Sequence, residues 1–352
     1  MTTGSTQRAS KLAANLKLSE RVFASPSDTA LLKAIDAGLD AVEAELNRQV
    51  SFNDAIADPA ARYLFEAGGK RVRPMLTLLT AELGAGATPE VVTAAAAVEL
   101  THLASLYHDD VMDESERRRG VAAAQTVWGN SVAILTGDLL FARASELMSS
   151  LGERAMRMQS ETFMRLVLGQ LHETSGPRPE SDPVAHYLQV LADKTGSLIS
   201  AAARAGIVFS EAPAEFEQPV VEFGERVGVA FQLVDDVIDL SPNPNVTGKV
   251  PGTDLRAGVV TLPLLKLRAL AATDVDAARL SERIDAEVFG TEDPGRGSDV
   301  VAELREHPVT AETLLEARRW AHAAADAISV LPDGSVKKAL VRFTETVLER
   351  TY

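Results

Sequence analysis

From residue 28 onward the chain is written almost entirely in helical periods. Leu31, Leu32, Ile35, Leu39, Val42 and Leu46 recur every three or four positions between Asp28 and Arg48, which predicts an amphipathic helix with Ser27 or Asp28 placed to cap its start. A second helical stretch, Asp58 to Ala67, runs into Gly68 and Gly69, and Pro74 is suited to open the next helix. Glu90 to about Val111 is nearly all apolar, with alanine at every position from 94 to 97, so this helix is predicted to be buried on most sides. Further helices are expected at 131–151 and 153–172, then a Pro- and Gly-containing loop at 173–183. Periodicity resumes at Val184 and, after Lys194, Thr195 and Gly196, continues to about Phe209. Between Ala214 and Leu240, Phe216, Val220, Phe223, Val227, Phe231 and Val234 mark one face of a long helix. A loop carrying Pro242, Pro244, Gly248, Pro251 and Gly252 follows. The pattern is again helical beyond Thr261, broken at 290–298 and at Pro308, and closes with helices near 312–330 and 335–350. No segment alternates over strand length and no period of roughly 20–50 residues repeats. The expectation is a single all-α domain over residues 27–352, behind a polar tail at 1–26.

Composition narrows the classes of function. The 352 residues, 46% of them hydrophobic, suffice for a large core. With 50 acidic against 35 basic residues the formal charge is −15, which argues against nucleic acid as a partner because a phosphate backbone would be repelled at long range. The absence of cysteine excludes disulfides, thiolate zinc sites and a cysteine nucleophile. The N-terminal stretch has no apolar run of the signal-peptide kind, and no run of about 18 uncharged apolar residues occurs anywhere, so a cytoplasmic location is expected.

The candidate chemistry gathers at two helix ends. Asp109, Asp110 and Asp113 form a DDxxD group at the end of the alanine-rich helix, and Asp235, Asp236 and Asp239 repeat that spacing 126 residues later. Residues three and four apart share a helix face, so Asp109 and Asp113 should point the same way. Crowded carboxylates repel one another and raise one another's pKa unless a hard divalent cation lies between them. Arg117, Arg118 and Arg119 follow the first group, and guanidinium groups beside a metal held by oxygen ligands suit a diphosphate. Lys70, Arg71 and Arg73 give a second cationic element at a predicted helix start, where a solvated basic turn and an anion site are both open readings. Glu99 and His102 form an ExxH, but no second ExxH exists to complete a di-iron bundle. Neither Gly69-Lys70 nor Gly248-Lys249 belongs to a P-loop.

The ordered blocks GGKRVRP, ELTHLASLYHDDVMDESERRRG, GDLLF, KTGSL, FQLVDDVID and GKVPGTDL, spread from Gly68 to about Pro263, resemble those of the trans-isoprenyl diphosphate synthases, or polyprenyl synthetases, of medium- to long-chain type. The resemblance implies an all-α bundle around a central cavity, usually homodimeric, with the two aspartate groups facing each other. It implies an Mg²⁺-dependent prenyltransferase that condenses isopentenyl diphosphate with an allylic diphosphate. By matching position, Asp109, Asp110, Asp113, Asp235, Asp236 and Asp239 would hold several Mg²⁺ ions. Arg118, Lys194, Thr195, Gln232 and Lys249 would address the allylic diphosphate, and Lys70, Arg73, His102 and Arg119 the isopentenyl diphosphate. Asp109, Asp113, Asp235, Lys194 and Arg118 would carry the catalytic step.

One position departs from the family pattern. Val259 stands where members commonly place a lysine, which implies a weaker grip on the allylic diphosphate unless Arg256 compensates. Family members stop chain growth with bulky residues one and two turns before the first DDxxD; here Ala104, Ser105 and Thr101 leave that path open. The resulting expectation is an all-trans product of about C30 to C50, the length being set by pocket size, that serves as a quinone side chain. Alternatives are a farnesyl or geranylgeranyl diphosphate synthase and a non-catalytic subunit of a heteromeric synthase. Peripheral membrane contact for release of an oily product fits the same reading.

Overall fold

The computed structural model describes residue 22 and residues 28–241, 250–291, 293 and 295–349. The expected tail at 1–26, apart from Val22, lies outside the described residues, as does Lys249. The helices are α1 (Thr29–Gln49), α2 (Ala57–Glu66), α3 (Val72–Ala81), α4 (Pro89–Met112), α5 (Ala124–Trp128), α6 (Asn130–Ser150), α7 (Glu153–Ser175) and α8 (Pro183–Leu191). A five-residue π-helical segment, Ala192–Gly196, leads directly into α9 (Ser197–Phe209). Then come α10 (Glu217–Asp239), α11 (Thr253–Arg256), α12 (Leu262–Leu270), α13 (Val275–Glu287), α14 (Ser298–Glu306), α15 (Pro308–Ala327) and α16 (Ser335–Leu348). The all-α reading holds. The exception among the described residues is a two-residue antiparallel pairing of β1 (Arg117–Arg118) with β2 (Val121–Ala122), turned by Arg119 and Gly120, both at positive φ.

Two compact units form. The first comprises residues 1–164, 198–224 and 328–343, the second 165–197, 225–327 and 344–352. In the first, α4 packs against α6, α3 and α1. Thr88 caps α4 by accepting from the Val91 N–H, and Pro89 occupies the first turn, where its missing donor costs nothing. The alanines at 94–97 are completely buried, as their all-apolar run predicted. At the start of α1 the structure departs from expectation: the Asp28 carboxylate makes no capping bond and instead pairs, fully buried, with Arg342 of α16. A charged partner outcompetes a backbone amide for a buried carboxylate.

In the second unit, the end of α10 packs with α8, α12 and α15 around Leu191, Val229, Leu233, Val234, Leu262 and Ala317. A neighbouring cluster of Leu264, Leu267, Leu280, Ile284, Val300 and Leu304 joins α12, α13 and α14. Both clusters follow the helical spacing of their apolar residues.

The contact of α3 with α9 is unusually close. Thr77 and Thr80 donate from Oγ1 to the carbonyls of Ala202 and Ala203, each at 2.9 Å. A Cβ on Gly206 would come within 2.0 Å of Thr80 Oγ1 and 2.2 Å of the Thr77 carbonyl. Overpacking of this kind costs about 1–3 kcal/mol. Gly206→Ala is therefore expected to lower the unfolding temperature in a thermal melt by several degrees; an unchanged melt would contradict the close crossing.

Candidate active site

The first aspartate group lies at the C-terminal end of α4. The helix ends at Met112, and Asp113 closes it, its N–H donating to the Asp109 carbonyl at 2.8 Å. Asp109 is half-buried and Asp113 exposed, whereas Asp110 is fully buried. This difference is helical geometry: successive side chains diverge by about 100°, so the second carboxylate turns toward the core. Arg118, on β1, meets it with Nη2 and Nε each 2.6 Å from Oδ1. Burial raises the Asp110 pKa and Arg118 opposes that rise. The other oxygen, Oδ2, is buried without a hydrogen-bond partner. Gln125 on α5 fastens the segment after the motif, donating from Nε2 to the carbonyls of Asp110 (2.8 Å) and Ser115 (2.6 Å). His108 lies against α6, its Nε2 3.0 Å from the Ile134 carbonyl and 3.4 Å from Asp138 Oδ1. Any side chain at Gly137 would strike that ring, which accounts for the glycine of the GDLLF block.

Beside this group is a concentration of positive charge. Gly68 (φ +101°) and Arg71 (φ +48°) both adopt the left-handed region in the loop before α3. Arg71 is 5% exposed and ion-paired to Glu43 (2.8 Å) and Glu99 (3.2 Å). Lys70, next to it, is exposed. Arg73 is depressed in pKa by burial, partly offset by Glu99, and its Nε is buried without a partner. Arg119 donates to the Leu64 carbonyl at 2.8 Å. Burial lowers its pKa to about 10, with Glu99 opposing the shift and Arg71, Arg73 and Arg118 adding to it. His102, one turn after Glu99, is held well below the ordinary histidine range, first by burial and then by Arg73, Arg119, Arg118 and Arg71. The structure thus brings Arg73, His102, Arg118 and Arg119 into one electrostatic neighbourhood. Arg117 stays outside it, exposed and bonded to the Gly120 carbonyl.

The second aspartate group ends α10 and repeats the first in outline. Asp235 is half-buried; Asp236 is 5% exposed and accepts from the Tyr187 hydroxyl (2.8 Å) and the Leu262 N–H (3.3 Å). Burial pushes the Asp236 pKa up to about 8, against those two hydrogen bonds. Asp239 accepts from the Asp254 N–H at 3.1 Å, tying the motif to α11. Gln232 is half-buried on the same helix. Lys194 and Thr195 sit in the π-helical segment, and Lys194 Nζ lies 2.5 Å from Glu173 Oε2. Arg165 braces that segment, reaching Asp193 at 2.8 Å and Glu225 at 2.7 Å. Gly169 lets α7 approach it, since a Cβ there would be 2.7 Å from the Lys194 nitrogen. Val259 is 40% exposed, directly after Gly258 at φ +83°, and Arg256 donates to the carbonyls of Asp293 and Arg296, both at 2.8 Å. Arg256 therefore has partners of its own and is not free to replace a lysine at 259.

Among the described residues no three His, Asp or Glu side chains converge as a ready-made metal cage. The donor set nonetheless fits a hard divalent ion that keeps water and phosphate oxygens as ligands: it is all carboxylate, Asp109 and Asp235 are accessible, and Asp110 Oδ2 is an orphaned buried acceptor. Three residue sets here were not legible as site residues. Glu43 and Arg165 are ordinary surface-type residues of amphipathic helices. Glu99 carried a signal as half of an ExxH, but its role is that of counter-charge to arginines. Tyr187 carried none.

Of the chain-length positions, Ala104 is fully buried and Ser105 nearly so. Thr101 borders a small apolar cavity with Val98, Met148, Met158 and Leu198.

An all-α architecture carrying two aspartate-ended helices, with a guanidinium cluster at one of them, defines the isoprenoid-synthase class of helical proteins. The sequence model described as Polyprenyl synthetase matches residues 54–293, so the chain belongs to the polyprenyl synthetase family, enzymes that transfer prenyl groups. It is 40% identical over 324 residues to the nonaprenyl diphosphate synthase of Mycobacterium tuberculosis (strain ATCC 25618 / H37Rv), covering 92% of this chain and 95% of that one. The fold is similar to a decaprenyl diphosphate synthase from Rhodobacter capsulatus, with a TM-score of 0.81, 33% identity and coverage of 93% and 100%. It is equally similar to a geranylgeranyl pyrophosphate synthase from Corynebacterium glutamicum solved with calcium and isoprenyl diphosphate, with a TM-score of 0.80, 39% identity and coverage of 94% and 99%.

The depressed His102 has a consequence for pH. The unfolded chain protonates this imidazole below about pH 6.5 while the folded chain resists, so acidification through that range favours the unfolded state. The His102 ring signals in an NMR titration should remain those of a neutral imidazole at about pH 6, and His102→Asn should flatten the acid side of the urea-midpoint profile. A normal titration near about pH 6.5 would contradict the cationic surroundings.

Proposed function

We propose that the chain is a Mg²⁺-dependent prenyltransferase that condenses isopentenyl diphosphate with an allylic diphosphate to give an all-trans polyprenyl diphosphate of about C30 to C50, a length set by the room its side chains leave. The observation that carries this reading is the shared design of the two helix ends: each presents its first aspartate and seals its second, and one stands beside clustered guanidinium groups. Family membership and the nonaprenyl and decaprenyl relatives support the activity class; the small residues along α4 favour a long product.

In this reading Asp109, Asp113 and Asp235 would hold the metal ions, supported by Asp110, Asp236 and Asp239. Bound there, Mg²⁺ supplies charge neutralisation for a departing diphosphate. Lys194 and Arg118, with Thr195, Gln232 and Lys249, orient the allylic diphosphate, so that breaking its C–O bond leaves the electron pair on pyrophosphate among fixed positive groups. Arg118 and Lys194 would exchange Asp110 and Glu173 for phosphate oxygens. Lys70, Arg73, His102 and Arg119 hold isopentenyl diphosphate so that its double bond attacks the allylic carbocation. The new C–C bond forms, and the proton lost from the adduct passes to pyrophosphate. His102, kept neutral, offers a hydrogen-bond donor without taking up a proton itself.

A homodimer fits the surface of α7, where Met164, Val167, Leu168 and Leu171 are 59%, 48%, 42% and 58% exposed at helical spacing. A product used as a quinone side chain agrees with the proposed length. Among the described residues no helix is long and apolar enough to cross a membrane, so delivery of such a product calls for peripheral contact.

Labelled isopentenyl diphosphate incubated with C5, C10, C15 and C20 allylic primers and Mg²⁺ is expected to give long products, lost when Mg²⁺ is chelated. Absence of incorporation with every primer would refute the function. In the same assay Ala104→Phe should shorten the product by one or more five-carbon steps; unchanged lengths would remove Ala104 from the growth path. Sedimentation should return a dimer, and Leu171→Glu should shift it toward monomer; a monomeric wild type would dispose of the dimer.

A further inference from the structure

The cationic neighbourhood contains one arginine that cannot meet a substrate directly. Arg71 is directed away from solvent, while Lys70 before it is exposed and Arg73 two residues later lies at the start of α3. Its guanidinium grips Glu43 of α1 in a two-point contact, Nε to Oε2 at 2.8 Å and Nη2 to Oε1 at 3.2 Å. Its third nitrogen reaches Glu99 of α4 at 3.2 Å. The group also lies over the Phe65 ring of α2, 5.1 Å from the centroid. One side chain therefore ties three helices to the loop. That loop holds Arg71 itself at φ +48°, a conformation a residue with a Cβ keeps only where its surroundings enforce it. Gly69 belongs to the same device, since a Cβ there would stand 2.9 Å from Arg71 Nη1 and 3.2 Å from Arg119 Cζ. The glycine lets the two guanidinium groups approach one another across it.

We propose that Arg71, clamped between Glu43 and Glu99, is a positioning residue for isopentenyl diphosphate: it fixes the left-handed turn that sets Lys70 and Arg73 on the same anion. Glu99 has a second part. It attracts Arg71, Arg73 and Arg119 together and so keeps mutually repelling cations assembled before a diphosphate arrives. This assignment rests on the function proposed above and concerns one of its two substrates.

The test is the separation of the two Michaelis constants. Arg71→Met, which keeps the bulk and removes the fork, should raise the KM for isopentenyl diphosphate about tenfold while the allylic KM stays within about twofold and kcat at saturation is retained, the loss being one of binding geometry. Arg71→Lys should not rescue, because a single ammonium group cannot span both carboxylates. Glu43→Gln, a milder change should Arg71→Met fold poorly, should raise the same KM about threefold. Equal movement of both constants, no movement, or full rescue by lysine would overturn the proposal, since a merely structural role lowers the active fraction, and with it the apparent kcat, without a selective rise in the KM for isopentenyl diphosphate. If the wild type transfers no prenyl group, the function itself falls. Calorimetry with metal-free isopentenyl diphosphate then decides the clamp: binding weakened in Arg71→Met and Glu43→Gln upholds it, and unchanged binding rejects it.

Discussion

Everything at the first helix end depends on one electrostatic constraint: cations that repel each other are gathered where water screens them poorly. Arg71, Arg73, Arg118, Arg119 and His102 perturb one another, and the buried carboxylate common to Arg71, Arg73 and Arg119 is that of Glu99. Buried like charges stay together only with a compensating partner. Glu99 and Glu43 compensate Arg71, and Asp110 compensates Arg118. Arg73 and Arg119 are left with depressed pKa values, and Arg73 with an unmatched Nε. Incomplete neutralisation of this kind attracts an anion, and the diphosphate proposed for this site would relieve the repulsion that the protein alone does not.

The aspartate groups apply the same principle with the sign reversed. In each, helical geometry turns the second aspartate inward, and a dedicated donor meets it: Arg118 for Asp110, Tyr187 with the Leu262 amide for Asp236. The sealed aspartates restrict how the first aspartate of each group can move, because neighbours on one helical turn share a backbone. Pre-set accessible carboxylates would lower the ordering cost of the metal and diphosphate binding proposed for them.

What the sequence disclosed follows from how local each determinant is. Helix positions were legible because apolar periodicity and Gly/Pro punctuation are local, and α4 and α10 lie within a residue or three of expectation. The aspartate groups were legible because repeated spacing is a property of the string. Of the two candidate caps of α1, Ser27 lies outside the described residues and Asp28 pairs instead with Arg342, 314 residues away, a distance no local pattern reports. The π-helical segment at Ala192–Gly196 went unseen for a similar reason: it is braced by Arg165 and crowded by Gly169, both from α7. Such widened turns recur at functional sites, and here the turn carries Lys194 and Thr195. Glu43 and Tyr187 matter only through tertiary contacts, so their residue types carry no message by themselves, and the ExxH signal of Glu99 points to a metal rather than to the arginines it pairs with.

Product length is decided on a still finer scale than the fold. Relatives of nearly equal similarity carry nonaprenyl and geranylgeranyl names, so global likeness does not separate long from short products. A difference of one methylene in an apolar pocket is worth about 1–3 kcal/mol, and a five-carbon unit exceeds that several times over. One side chain in the path of the growing tail is thus sufficient to stop it. Along α4 the residues preceding Asp109 are small at 104 and 105, and Thr101, two turns back, borders a cavity walled by Met148 and Met158. Methionine adapts its shape at little cost, so under the proposed function a tail that passed Ala104 would meet a wall able to yield. On the proposed growth path no bulky side chain stands at 104 or 105, which agrees with the long product proposed.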